Sequence, residues 1–295
     1  MKKAILYIVS TPIGNLDDIS KRALLILNTV SRIICEDTRH STKLLKHYNI
    51  NKNLISLHKF NESARSQEII SLFEKENLTE VALISDAGSP CVSDPGTELV
   101  RMAHRHNIQV QVIPGPSSLT AAISASGIGA SLKIFYGFID KNNKKKKDIL
   151  LAMKALGPCH FIFFDSPKRV IDSLYVIEDV FSDKIKLCLS KEISKKYENH
   201  FYGELHDVLS RIKEYQDLKG EYVVSLEIPK HDSSLNYDED YLRGEIAKLL
   251  EIGASLKKAC AYLSEKKGLG KKDLYNLYLS GQLEKQDNQE TNKKG

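Results

Sequence analysis

The chain has 295 residues, enough for two domains of ordinary size. At 42% hydrophobic and 27% charged residues its composition is that of a globular protein, which excludes a low-complexity or disordered chain. The net charge of +5 permits a nucleic-acid partner without demanding one, and no apolar run is long enough to span a bilayer.

Residues 4–10 form the first apolar run. With Met1, Lys2 and Lys3 ahead of it, the run imitates a signal peptide. It is too short for one and enters Thr11-Pro12-Ile13-Gly14, so it reads as a strand. Asp17 or Asp18 is expected to cap a helix carrying Ala23, Leu24, Leu27 and Val30. A strand at 32–35, a helix at 41–48 and a strand at 54–57 follow. Ser63 is placed as the cap of a helix through Ile69, Ile70 and Phe73. Strands at 81–85 and 110–113 flank a helix at 99–106, and a helix at 117–126 closes the region. Five consecutive β-α units imply a parallel sheet covered on both faces.

A second α/β region follows. Its strands are expected at 134–139, 161–164, 186–189, 200–205 and 222–228, and its helices at 146–156, 169–181 and 206–215. Residues 144–147, four lysines, read as an exposed loop or a solvated first turn. After Pro229 comes a polar linker at 231–236, then three short helices at 241–251, 255–266 and 271–280. Gly253 and the Gly268-Leu269-Gly270 turn separate them. The expected domains are 1–118, 119–230 and a helical 237–283, with a disordered tail at 284–295.

Ligands of an open parallel sheet bind beyond the carboxyl ends of its strands. The five junctions there are Thr11-Pro12-Ile13-Gly14-Asn15, Glu36-Asp37-Thr38-Arg39-His40, His58-Lys59-Phe60-Asn61-Glu62, residues 85–96 beginning Ser85-Asp86-Ala87-Gly88-Ser89-Pro90, and Pro114-Gly115-Pro116-Ser117-Ser118. Turn chemistry explains any one of them, but five stiff junctions together point to a ligand site on this edge. Neither G-x-G-x-x-G after the first strand nor a P-loop is present. Cys35, Cys91, Cys159, Cys188 and Cys260 show no C-x-x-C, and no Cys/His cluster has zinc spacing. They read as reduced, mostly buried thiols of a cytoplasmic protein, and no metal is expected.

These junctions, with Phe135-Tyr136-Gly137-Phe138, Phe164-Asp165-Ser166-Pro167 plus Arg169, and Gly220-Glu221-Tyr222-Val223, resemble the bacterial small-subunit ribosomal RNA methyltransferases that act on a cytidine ribose 2′-hydroxyl. That family belongs to the tetrapyrrole-methylase-like S-adenosylmethionine enzymes. Cys91 stands where the pattern has Gly, and Lys196-Tyr197 departs from it. The G-x-G-P-G-D type first loop of true tetrapyrrole methylases is missing. The resemblance implies two α/β domains of tetrapyrrole-methylase type, a homodimer, and S-adenosylmethionine in the interdomain cleft. It places the cofactor against Pro12, Gly14, Asn15, Asp86, Ala87, Gly88, Ser89, Pro90, Pro114, Gly115, Pro116, Ser117 and Ser118, with Asp165, Ser166 and the strand at 223–226, Val224 included, opposite. The partner would be 16S ribosomal RNA in the small subunit.

A ribose hydroxyl is a poor nucleophile, so a group must accept its proton or stabilise the alkoxide. Glu36, Asp37, His58 and Asp86 are the candidates, with Arg39 as a phosphate or carboxylate partner. Each has a plainer role open to it: Glu36 or Asp37 can hold Arg39, His58 can be a bonded strand-end histidine, and Asp86 can contact cofactor. Candidate RNA contacts are Arg39, Lys59, Arg65, Lys144, Lys145, Lys168 and Arg169. The last two helices resemble a helix-turn-helix and add Lys257, Lys258, Lys271 and Lys272, which serve either phosphate binding or solubility. Tetrapyrrole methylation by the same fold, and a catalytically silent RNA-binding assembly factor, are the alternative readings.

Overall fold

The computed structural model describes residues 4–75, 78–182, 184–215, 217–229, 239–267 and 269–291. The expected linker at 231–236, Gly268 and residues 292–295 lie outside the described residues. The chain divides into two compact units, Met1–Ile228 and Pro229–Gly295.

The first unit holds two sheets. Strands β1 (Ile5–Val9), β2 (Arg32–Cys35), β3 (Asn53–Ser56), β4 (Glu80–Leu83) and β5 (Gln109–Ile113) build one in the order β3-β2-β4-β1-β5, with every pairing parallel. Helices α1 (Lys21–Thr29), α2 (Thr38–His47), α3 (Glu62–Lys75), α4 (Thr97–Arg105) and α5 (Ser118–Ala125) follow these strands in turn. Strand alternation separates two cores. Leu6 and Ile8 of β1 meet Ile69 and Phe73 of α3 and Leu99 of α4 on one face. Tyr7 and Val9 meet Ala23 and Leu27 of α1 and Leu45 of α2 on the other. Covering both faces is what lets a parallel sheet read as continuous apolar runs.

The second sheet runs β6-β7-β10-β8-β9, from β6 (Lys133–Phe138), β7 (Cys159–Asp165), β8 (Lys186–Lys191), β9 (Asn199–Glu204) and β10 (Tyr222–Ile228). Only β6 and β7 pair in parallel. Helices α6 (Asn143–Leu156), α7 (Val170–Phe181) and α8 (Leu205–Glu214) bury Leu150, Leu174, Ile177, Val208 and Ile212 on one of its faces. From the other face Ile162 and Val223 pack with Ile13 of the first expected domain and with Ala122 of α5. The two expected α/β domains therefore form one compact unit.

The second unit is α9 (Glu239–Glu251), α10 (Leu256–Lys267) and α11 (Lys271–Thr291). It has its own core of Leu242, Ile246, Ala259, Cys260, Leu263, Leu269 and Leu274. Among the described residues no helix is long and apolar enough to cross a membrane, and no group of acidic, His and Cys side chains is placed to hold a metal ion.

Several boundaries differ from the sequence reading. Ser20, not Asp17 or Asp18, caps α1 by accepting from the Ala23 amide at 3.0 Å. The two aspartates sit in a 3-10 turn, Leu16–Asp18, that Asn15 caps. Helix α2 starts a turn early because the Asp37 side chain caps it. Helix α3 begins at Glu62, so Ser63 lies inside its first turn. Lys146 is buried, whereas Lys144, Lys145 and Lys147 are exposed. Helix α11 continues past Ser280 to Thr291, through residues expected to be disordered. That stretch holds Gln, Glu and Lys, and no Pro. Cys91 has φ +66°, so it stands in the backbone conformation glycine favours, at the position where the family pattern has Gly.

Candidate active site

The junctions after β1, β4 and β5 are fastened to one another. The Thr11 amide donates to the Gly88 carbonyl at 2.8 Å and the Gly88 amide to the Thr11 carbonyl at 3.0 Å. The buried Thr11 hydroxyl donates to the Ser85 carbonyl at 3.1 Å. Ser10 and Ser89 share a hydroxyl hydrogen bond of 2.8 Å. The glycines permit this approach. A Cβ on Gly115 would lie 3.1 Å from that of Ser10, and one on Gly88, at φ +77°, would lie 3.3 Å from an Ile13 methyl. A Cβ on Gly14 would lie 2.3 Å from Lys195 in the β8–β9 connection.

A cavity of about 350 Å³ opens between these junctions and the ends of β6, β7 and β10. From the first sheet it is lined by Asp86, Ala87, Gly88, Ser89, Ser117 and Ser118, and also by Val92, Ser93, Asp94 and Leu119. Phe138, Phe164, Asp165, Ser166, Gly220, Glu221, Tyr222 and Val223 close it from the second. An adjoining hollow carries Gly115, Pro116 and Ser117 with Ile13 and Ser194. Pro12, Gly14, Asn15, Pro90 and Pro114 line neither. Within the expected 223–226 stretch the two valines differ in placement. Val224 is fully buried in the core beneath the second sheet, and its neighbour Val223 faces the cavity. Alternation along β10 puts the two on opposite faces.

The carboxylates divide by environment. Asp37 is spent on Arg39, with Oδ2 2.7 Å from Nη2 and Oδ1 accepting from the Arg39 amide at 2.8 Å. These bonds to Arg39 hold its carboxyl well below the usual range. Asp86 Oδ1 accepts from the Asp37 amide at 3.3 Å, tying the β2 and β4 junctions together. Burial, then the nearby Asp86, push the Glu36 carboxyl up. Asp94 is pushed up to about 6, by burial first and then by Glu36 and Asp86. Asp94 was visible in sequence only as one polar residue of a long loop. Its crowding with two other carboxylates marks it out. His58 lies beside the same cluster, and its buried Nδ1 has no hydrogen-bond partner among the described residues.

Asp165 lines the cavity wall, yet its side chain is fully buried and engaged. It accepts from the Ser166 amide at 2.8 Å and from the Ser173 hydroxyl, and pairs with Arg169 at 3.3 Å. Buried Lys146 donates to Ser173 at 2.8 Å. Asp165 therefore holds the Ser166 loop, and Arg169, expected among the RNA contacts, is paired with it while about a third of its side chain stays exposed. Ser166 is one of the cavity's lining residues, and its hydroxyl is buried without a hydrogen-bond partner among the described residues. Arg65 is likewise engaged, with the Ser56 carbonyl at 3.3 Å and Glu68 at 2.6 Å. Lys145 pairs loosely with Asp140 at 3.6 Å. Lys59, Lys144, Lys168, Lys257, Lys258, Lys271 and Lys272 are exposed.

Two tight glycine junctions thus face a mainly apolar cavity between two sheets. The chain belongs to the tetrapyrrole (corrin/porphyrin) methylase family, which matches residues 5–207. Solved structures agree on the fold: a diphthine synthase superposes with a TM-score of 0.58 at 15% identity over 77% of this chain and 92% of its own. Uroporphyrin-III C-methyltransferase from Thermus thermophilus gives 0.51 at 17% identity over 77% and 95%. Within that class the chain belongs to the ribosomal RNA small subunit methyltransferase I family. It is 38% identical to the protein of that name from Escherichia coli O157:H7, over 94% of this chain and 95% of the relative. The Synechocystis relative of the same name is 34% identical over 93% and 97%.

Proposed function

We propose that this protein transfers a methyl group from S-adenosylmethionine to the ribose 2′-hydroxyl of a cytidine in 16S ribosomal RNA, acting on the small subunit in the cytoplasm as a homodimer. The observation that carries this reading is the cavity, set in a chain that matches the small-subunit RNA methyltransferases almost end to end.

The residues present fit this cofactor. Val223, Leu119, Phe138 and Phe164 offer apolar surface for a purine, while the Asp86 carboxylate offers a polar contact. The bare Gly88 and Gly115 let backbone come close to a ligand. When bound, the cofactor supplies an electrophilic sulfonium methyl, so the chain supplies alignment and a proton acceptor. Asp94 takes that second part. It lines the cavity, and a carboxyl near 6 is a competent base at neutral pH. Burial first, then Glu36 and Asp86, raise its basicity, and the Asp37–Arg39 pair sits on the neighbouring β2 junction.

Mapping ribose methylation in 16S RNA by mass spectrometry, from a strain deleted for the gene and from one complemented with it, tests the reading. One cytidine losing and regaining its 2′-O-methyl group is the expected result. An unchanged methylation map would overturn it.

A further inference from the structure

Phe60 is 95% exposed, at the tip of the junction after β3. An aromatic ring held out in water on a rigid turn, beside an active site, asks for a partner. The turn is rigid at both ends of the ring. The His58 amide donates to the Asn61 side chain at 2.8 Å, and the Asn61 amide donates back to the His58 carbonyl at 2.9 Å. Glu62, the next residue, accepts from the Gly96 and Glu98 amides at 2.9 Å each, which bolts the turn to the loop that carries Asp94. The imidazole of His58 meets Phe60 edge-on at 6.2 Å between ring centroids.

The surroundings say what the partner is. Strand β3 lies beside β2, and β2 beside β4, so β3 and β4 end about 10 Å apart, and the Glu62 contacts bring the β3 junction against the far end of the loop that lines the cavity. A splayed nucleotide or a short stack of bases spans that distance. Lys59 is exposed next to Phe60, and the Arg39 side chain on the β2 junction is 88% exposed. An open aromatic face with cations beside it is the arrangement that binds unpaired bases and their phosphates.

We propose that Phe60 is the stacking platform for an unpaired RNA base next to the nucleotide being methylated. This rests on the function proposed above. The test uses the full chain with small subunits purified from the deletion strain. Phe60→Ala and Phe60→Leu are expected to raise KM for subunits on the order of tenfold, with S-adenosylmethionine affinity and thermal midpoint unchanged. Phe60→Tyr keeps the activity. The chain has no tryptophan, so Phe60→Trp introduces a single reporter. Its emission should be quenched on adding subunits, saturating near KM. An unchanged KM for Phe60→Ala, or unquenched Phe60→Trp at saturation, overturns the proposal. Full activity of Phe60→Leu does so too, by showing a generic apolar contact such as a protein would make. If the wild-type chain fails to methylate subunits, the reading beneath falls and takes the proposal with it. If the wild type methylates them and only the Phe60 results fail, that reading stands.

Discussion

Asp94 and His160 titrate in opposite senses. The Asp94 carboxyl, 3.8 when unperturbed, sits at about 6 in the fold. The folded chain therefore takes up that proton first, and this group's contribution to stability grows as pH falls from about 6 to about 4. His160 is buried in β7, and burial followed by Lys133 pulls it down from 6.5 to about 4. The unfolded chain takes up that proton first, so its contribution is lost over a similar fall in pH. Asp94→Asn should raise the melting midpoint at pH 7.5 but not at pH 4. The expected size is on the order of 1 kcal/mol, about 3 °C, after allowing for the solvent that still reaches the site. His160→Phe should flatten the wild-type loss of stability between pH 6.5 and 4. Thermal scans across that range check both signs. In activity, Asp94→Asn should lower kcat on the order of a hundredfold with cofactor affinity unchanged, and remove the acid limb near pH 6 from the rate profile. A normal profile in that variant would return the proton to Glu36.

At the scale of elements, the site depends on how strand ends are tied. The Lys146–Ser173–Asp165–Arg169 chain joins α6, α7 and the end of β7. Burial pulls the Lys146 ammonium below the usual lysine range, and Asp165 opposes that. Asp165→Asn leaves two cations facing a neutral amide. It should cost on the order of 3 kcal/mol, about 9 °C in melting midpoint, and weaken cofactor binding by loosening Ser166. Adding Lys146→Met should restore more than half the loss, which a double-mutant cycle of melting midpoints would show. On the opposite wall, Gly115→Val pushes the β5 junction off Ser10. Calorimetry should find cofactor binding abolished, with the circular dichroism of the fold retained.

For the whole molecule, the division at Ile228 is the informative feature. Every residue lining the cavity precedes it, and the helical unit after it has its own core. A chain of residues 1–230 should bind S-adenosylmethionine with wild-type affinity. It should lose methylation of small subunits, mainly through KM. Exchanging Lys257, Lys258, Lys271 and Lys272 for Gln should reproduce part of that loss and flatten its dependence on salt, since each phosphate contact contributes a slope of about one counterion. Full-rate methylation by the truncated chain would remove the helices from RNA docking.

The sequence by itself determined the alternation of strands and helices, the parallel first sheet and the edge where its junctions gather. Those features are local: apolar runs of strand length, helical periodicity, and Gly and Pro at strand ends. Capping was legible in kind but not in place, because Asp17, Asp18 and Ser20 are all competent caps and only the 3-10 turn selects Ser20. What the tertiary structure alone decided is which side chains share a space. Val223 rather than Val224 faces the cavity because the register of β10 against β7 and β8 sets the parity. Lys146 looks like its exposed neighbours until α6 docks on α7 and carries it over Ser173. Asp94 gains its chemistry first from burial, then from Glu36 on the β2 junction and from Asp86 on its own. Burial and long-range charge depend on distances between segments far apart in the chain, and no local pattern of residues encodes them.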